Sequence, residues 1–166
     1  RIESRGLGDV YKRQQNRISK AIVQKLFGTV SGKKIAILGF AFKANTNDTR
    51  ESPAISICKN LLDEGAALSI FDPKVDVKQV EIDLGMKYSN EGNLSSWNPA
   101  KSIAEAADNS DAIVLLTEWE EFKVIEWDKI TKKMRSPSWI IDTRNIIDQN
   151  YNFSYGTKVW RIGVDN

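Results

Sequence analysis

Lys34-Ile35-Ala36-Ile37-Leu38-Gly39-Phe40-Ala41-Phe42-Lys43 is the stretch that decides how this chain folds. The first five residues are a short apolar run closed by Gly39, the pattern of a buried strand with a turn behind it. The loop after Gly39 departs from the dinucleotide fingerprint. G-x-G-x-x-G lets backbone approach a pyrophosphate and lets the next helix pack closely. Here Ala41 and Ala44 stand at the later glycine positions, and the next helix opens only at Ser52-Pro53. Ser52 is read as its N-cap and Pro53 as its first residue. The sheet is expected to resemble a dinucleotide binder whose first loop has been rebuilt, so a dinucleotide pyrophosphate is not expected in it.

Working outward, Ala54, Ile55, Cys58, Leu61 and Leu62 give the next helix an apolar stripe, and Gly65 stops it. Ala67–Phe71 reads as a second strand, ended by Asp72-Pro73. Residues 75–84 read as a weaker helix, 89–99 as a loop rich in Asn, Ser and Gly, and 101–107 as a helix. Residues 112–116 are apolar throughout, as a strand buried on both faces should be. Residues 127–134 read as a helix, 139–141 as a fourth strand ended by Asp142, and 158–162 as a fifth. Strands alternating with helices imply βαβ units with right-handed crossovers. The expected class is α/β, a Rossmann-like three-layer fold with a mostly parallel, doubly wound sheet that lacks GxGxxG. Ligands in such sheets bind beyond the carboxyl ends of the strands, here after Leu38, Phe71, Leu116 and Ile141. Upstream, Ile18, Ile22, Val23 and Leu26 recur at spacings of three and four and predict a helix over 15–30, punctuated by Gly28 and Gly32. Residues 1–14 show no sustained period. They resemble translated adaptor remnants and are read as a non-native N-terminal extension.

With 166 residues, 41% hydrophobic and 28% charged, the composition suits one globular domain. No apolar run approaches the ~20 residues that span a bilayer, and no signal-peptide pattern is present. No membrane association and a cytoplasmic location are expected. The single cysteine, Cys58, cannot form an internal disulfide, which agrees. The net charge of +2 is too small to point to nucleic acid, and the first fourteen residues carry all of it. There is no histidine. Ser-His and Cys-His catalysis, histidine metal ligation and the commonest general base are therefore excluded.

The strand ends hold the candidate chemistry. The loop 42–52 carries Lys43 and Arg50 and runs into a helix N-terminus, a combination that attracts phosphate. The competing reading is two solvated cations, with Asp48 pairing Arg50 at the surface. Arg144, two residues past the fourth strand, presents a planar fork suited to phosphate or a sugar hydroxyl, with Asp142 placed to hold it. The alternative is an Arg packed over a helix end. Trp119 and Phe122 come after the third strand, where an aromatic either stacks on a base or packs in the core or an interface, packing being favoured. Asp72 is placed either to bind a ribose or to make an Asp-Pro turn, and the turn is favoured. Cys58 lies on the apolar stripe and reads as a buried, inert thiol.

Five motifs occur in order: Gly39-Phe40-Ala41-Phe42-Lys43, Asp48-Thr49-Arg50-Glu51-Ser52, Asp72-Pro73-Lys74, Thr117-Glu118-Trp119 and Asp142-Thr143-Arg144. Together, over residues 15–163, they resemble the C-terminal domain of UDP-glucose 6-dehydrogenases, within the UDP-glucose/GDP-mannose dehydrogenase family. That resemblance implies oxidation of a sugar C6 alcohol to a carboxylate in two NAD-dependent steps, UDP-glucose to UDP-glucuronate. In the family an N-terminal domain holds NAD and a catalytic cysteine, the C-terminal domain grips the nucleotide sugar, and a long helix joins the halves and builds the dimer. On this pattern residues 15–30 are the tail of the connecting helix and 31–166 the UDP-sugar-binding domain. Phe42, Lys43 and Arg144 match substrate contacts, and Arg50 matches an arginine that reaches the NAD side of the cleft. The implied partners are UDP-glucose, an NAD domain not in this chain, and further copies as a homodimer or higher homo-oligomer. No residue here matches the catalytic cysteine, so the chain alone is expected to be inactive. The fourth-strand motif also lacks the family's glycine. The alternatives are a non-catalytic nucleotide-sugar-binding module, or the same domain of a GDP-mannose or UDP-hexosamine dehydrogenase.

Overall fold

The computed structural model describes residues 2–162. Among them six strands form one parallel sheet: β1 (Lys34–Leu38), β2 (Ala67–Phe71), β3 (Ser96–Pro99), β4 (Ala112–Leu115), β5 (Trp139–Asp142) and β6 (Lys158–Arg161). Their order is β3-β2-β1-β4-β5-β6. The chain starts at the centre, walks to one edge, returns to β4 and walks to the other. The strand order therefore reverses between β1 and β4, where Ile35 lies opposite Ala112 and Leu38 opposite Leu115. In such sheets the reversal opens a crevice at the carboxyl ends.

Side chains alternate across a strand with period two, and here both faces are apolar. Ile35, Ile37 and Val114 pack on one face with α1 (Ile2–Lys25) and α2 (Pro53–Asp63). Ala36, Leu38, Ile113 and Leu115 pack on the other with α4 (Ile103–Ala107) and α6 (Trp127–Thr131). This is why β1 and β4 read as continuous apolar runs. Two short helices, α3 (Val77–Leu84) and α5 (Glu120–Lys123), complete the layers. None of the helices among the described residues is long and apolar enough to cross a membrane.

Several boundaries differ from the sequence reading. The first helix begins at Ile2, not Gln15, because extending an existing helix adds one hydrogen bond per residue fixed and needs no new nucleus. It ends at Lys25, short of Val30, because Phe27 and Gly28 take positive φ (66° and 85°) and the Gly28 N–H returns to the Val23 carbonyl at 2.9 Å. Val30 is still fully buried. In α2 it is Ile57, not Ile55, that joins Ala54, Cys58, Leu61 and Leu62 in the core. Ser52 does cap this helix, accepting from the Ala54 N–H at 3.3 Å, with Pro53 behind it. Residues 96–99, expected as loop, form β3. Asn and Pro are poor strand formers, but an edge strand needs only one ladder, and β2 supplies it. Trp97, 1% exposed, anchors that edge by donating its Nε1–H to the Met86 carbonyl at 2.9 Å. The turn of α5 was not expected either; it forms where Phe122 is buried against Phe71.

Candidate functional site

The first loop is built on a close approach. Gly39 takes φ 96°, and a Cβ there would lie 2.5 Å from Thr117 Cβ and 2.7 Å from Thr117 N. Only glycine lets the ends of β1 and β4 come this near. Thr117 Oγ1 then donates to the Ala41 carbonyl at 2.9 Å, and Leu116 N to the Leu38 carbonyl at 2.9 Å. Ser52 Oγ donates to the Phe40 carbonyl at 2.8 Å, and the Phe42 N–H to the Asp48 carbonyl at 2.8 Å. The long loop is thus a stitched structure, folded back onto the helix at its end.

Arg144 is held from three sides. Its Nε donates to the Leu116 carbonyl at 3.0 Å and lies 3.4 Å from Glu118 Oε2, while its Nη2 donates to the Phe42 carbonyl at 3.3 Å. These partners come from the ends of β4 and β1, so the guanidinium lies across the β1–β4 crevice. Asp142, fully buried, holds the loop but not the side chain. Its Oδ1 accepts the Arg144 N–H at 3.1 Å, and its Oδ2 accepts the N–H groups of Ile146 and Ile147 at 2.8 and 2.9 Å. The expected Asp142 support is therefore real at the backbone, and Glu118 takes the guanidinium. The Arg144 side chain keeps 32% of its surface exposed.

A cavity of about 320 Å³ opens at this point. Phe42, Leu116, Thr143 and Arg144 line it from the strand ends, and Gln15 and Ile18 line it from α1. A larger groove of about 420 Å³ runs between α1 and α2, lined by Asn16, Lys20, Asn60 and Glu64 among others. It lies in the helix layer, away from the strand ends, and is not where such sheets bind ligands. The structure therefore brings Phe42 and Arg144 together. Lys43 is exposed beside them and does not line the cavity. Arg50 is 88% exposed and pairs with Asp48, Nη2 to Oδ2 at 2.8 Å and Nε to Oδ1 at 3.0 Å. These hydrogen bonds hold the Asp48 carboxyl down at about 2, with a smaller push from the charge of Lys43.

The remaining candidates are structural. Trp119 and Phe122 are buried (6% and 1% exposed) and unavailable for stacking on a base. Cys58 is fully buried, and burial pushes its thiol far up, so no thiolate forms at neutral pH. Asp72 does make the expected turn, accepting the N–H groups of Lys74 and Val75 on Oδ1 at 2.9 and 3.0 Å. Its Oδ2 accepts from Phe40 N, Ala41 N and Trp119 Nε1 at 2.7, 3.0 and 3.2 Å.

Residues 36–149 match the family model for the UDP binding domain of the UDP-glucose/GDP-mannose dehydrogenase family. The chain belongs to this family. It is 43% identical over 161 residues to UDP-glucose 6-dehydrogenase 4 of Arabidopsis thaliana, covering 90% of this chain and 34% of that protein. It is 44% identical over 146 residues to UDP-glucose 6-dehydrogenase of Gallus gallus, covering 87% of this chain and 30% of that protein. It thus spans about a third of the length of the curated relatives it matches. Among solved structures, a UDP-D-ManNAc dehydrogenase from Pyrococcus horikoshii superposes with a TM-score of 0.64 at 26% identity, over 89% of this chain and 30% of that one. An NDP-N-acetyl-D-galactosaminuronic acid dehydrogenase from Methanosarcina mazei Go1 gives a TM-score of 0.69 at 24% identity, over 91% of this chain and 29% of that one, a likeness of fold.

The dinucleotide associated with such dehydrogenases does not fit this sheet. Ala41 stands where the fingerprint's second glycine lets backbone approach the dinucleotide's pyrophosphate, no helix opens until Ser52-Pro53, and the Asp72 carboxylate, where a ribose would be held, is already saturated by backbone and indole donors. Sequence reasoning also missed two parts of the site. Glu118 stands inside the Thr117-Glu118-Trp119 motif just past a strand, and an acid at that place was the signal, though its pairing with Arg144 shows only in the fold. The α1 wall, Gln15 and Ile18, gives no sequence signal, since only the folding back of the helix puts it there.

Proposed function

We propose that this chain is the nucleotide-sugar-binding part of an NAD-dependent UDP-glucose 6-dehydrogenase that converts UDP-glucose to UDP-glucuronate in the cytoplasm. The observation that carries the reading is the cavity in which Phe42 and Arg144 meet at the β1–β4 strand reversal. Arg144 is already oriented by two carbonyls and Glu118, so its remaining N–H groups meet an anion without further ordering. Lys43 adds a second cation at the rim, and Phe42 an apolar wall. The contribution of this chain to the reaction is binding energy that fixes the sugar against groups elsewhere. NAD and the catalytic thiol belong to a region outside these residues. Arg50, exposed and paired with Asp48, is assigned to the NAD side by its match to the family's arginine. The enzyme assembles as a homodimer or higher homo-oligomer. A UDP-hexosamine is the second reading for the sugar, supported by the likeness to the Pyrococcus UDP-D-ManNAc dehydrogenase.

Calorimetric titration with UDP-glucose, with GDP-mannose and a UDP-hexosamine as competitors, tests this. UDP-glucose is expected to bind selectively. Arg144→Ala is expected to weaken it roughly tenfold to a hundredfold, the loss for hydrogen bonds to a charged group. Equal binding of all three nucleotides, or unchanged affinity in Arg144→Ala, would remove the assignment.

A further inference from the structure

Asp72 stands at the end of β2, where dinucleotide-binding sheets keep the acid that holds a ribose. Here it is turned inward. A carboxylate offers about four lone-pair sites, and this one receives five N–H donors. Its two oxygens do different work. Oδ1 takes the local donors, Lys74 N and Val75 N, which make the turn. Oδ2 takes only distant ones: Phe40 N and Ala41 N from the loop after β1, and Trp119 Nε1 from the loop after β4.

Those two loops carry the anchors of Arg144. The Phe42 carbonyl, which accepts from Nη2, comes directly after Ala41; Glu118, which pairs with Nε, directly precedes Trp119. One carboxylate oxygen thus ties together the two segments between which the guanidinium is stretched. Asp72 itself does not line the cavity.

We propose that Asp72, acting with Trp119, is a positioning residue for the nucleotide site: its Oδ2 sets the spacing of the β1 and β4 loops and thereby the direction of Arg144. The inference rests on the nucleotide-binding reading above. The acid that binds a ribose in related sheets has become a latch between loops, which also leaves no acceptor here for a ribose hydroxyl.

Asp72→Asn separates the two roles. An Asn can keep Oδ1 as the acceptor for the turn, but its amide then places N–H donors against three N–H donors. Trp119→Phe removes a single donor and keeps most of the buried ring. Both variants and the wild-type chain are titrated with UDP, and amide hydrogen exchange is monitored residue by residue. Asp72→Asn is expected to bind UDP about tenfold or more weakly, and Trp119→Phe a few-fold more weakly. In Asp72→Asn the Phe40 and Ala41 amides should exchange faster while those of α2 and β5 keep wild-type rates. General loosening, with exchange raised across α2 and β5 alike, would mean a stability role and overturn the proposal. So would equal UDP affinity in all three proteins, or unchanged exchange at Phe40 and Ala41. If Asp72→Asn does not fold, Trp119→Phe decides by the same affinity and exchange criteria. Failure of the folded wild-type chain to bind UDP overturns the nucleotide reading itself, and this role with it.

Discussion

Replacing Gly39 by alanine should be among the most damaging single-methyl changes in this molecule. Two costs add. The backbone at φ 96° is a conformation that essentially only glycine occupies, and holding an L-residue there costs about 1–3 kcal/mol. The new Cβ would sit 2.5 Å from the side chain of Thr117, and forcing a methyl into packed surroundings costs about 1–3 kcal/mol more. Together they reach about 4 kcal/mol, a large part of the roughly 5–15 kcal/mol by which domains are stable. Urea denaturation monitored by tryptophan fluorescence should therefore show a much lower midpoint at an unchanged slope, and heating a Tm lower by roughly 10 °C. Thr117→Ala in the same chain should restore little, because the Thr117 backbone nitrogen also lies within 2.7 Å of the added carbon. A loss below about 1 kcal/mol, or full rescue by Thr117→Ala, would refute the claim that the β1 and β4 ends meet at van der Waals limit.

The same geometry sets further expectations. Ser52→Ala removes both the cap on Ala54 N and the bond to the Phe40 carbonyl, and should cost about 1–2 kcal/mol in denaturant unfolding; a change within about 0.5 kcal/mol would mean the cap contributes nothing. Asp48 should titrate at about 2 by carbon NMR and move back toward 3.8 in Arg50→Ala. Because its folded value is depressed, any stability it gives is present above its unfolded value and lost as pH falls through the folded one, roughly from pH 4 to 2, and its exposure keeps the effect small. Cys58 should resist thiol reagents in the folded chain and react in urea; rapid labelling of the native protein would contradict its burial.

Sequence alone determined what local chemistry can encode. The apolar runs of β1 and β4, the Ser52-Pro53 helix start and the rebuilt first loop were legible because periodicity, capping and glycine placement act within a few residues. The motifs marked the family and, by resemblance, singled out Phe42. The placement of Arg144 two residues past a strand pointed it toward the cleft after β1, but Lys43 and Arg50, expected in that cleft too, do not line the cavity. Tertiary structure decided the rest. β3 was hidden because an edge strand borrows its order from β2, so its own Ser-Trp-Asn-Pro residues need no strand propensity. The real partner of the Arg144 side chain, Glu118, and the long-range donors of Asp72 lie in other loops of the chain. Hydrogen bonds of that kind, such as Arg144 to the Phe42 carbonyl across 102 residues of sequence, leave no local pattern. They exist because the strand order brings the ends of β1, β2, β4 and β5 side by side, and only the folded sheet supplies that adjacency.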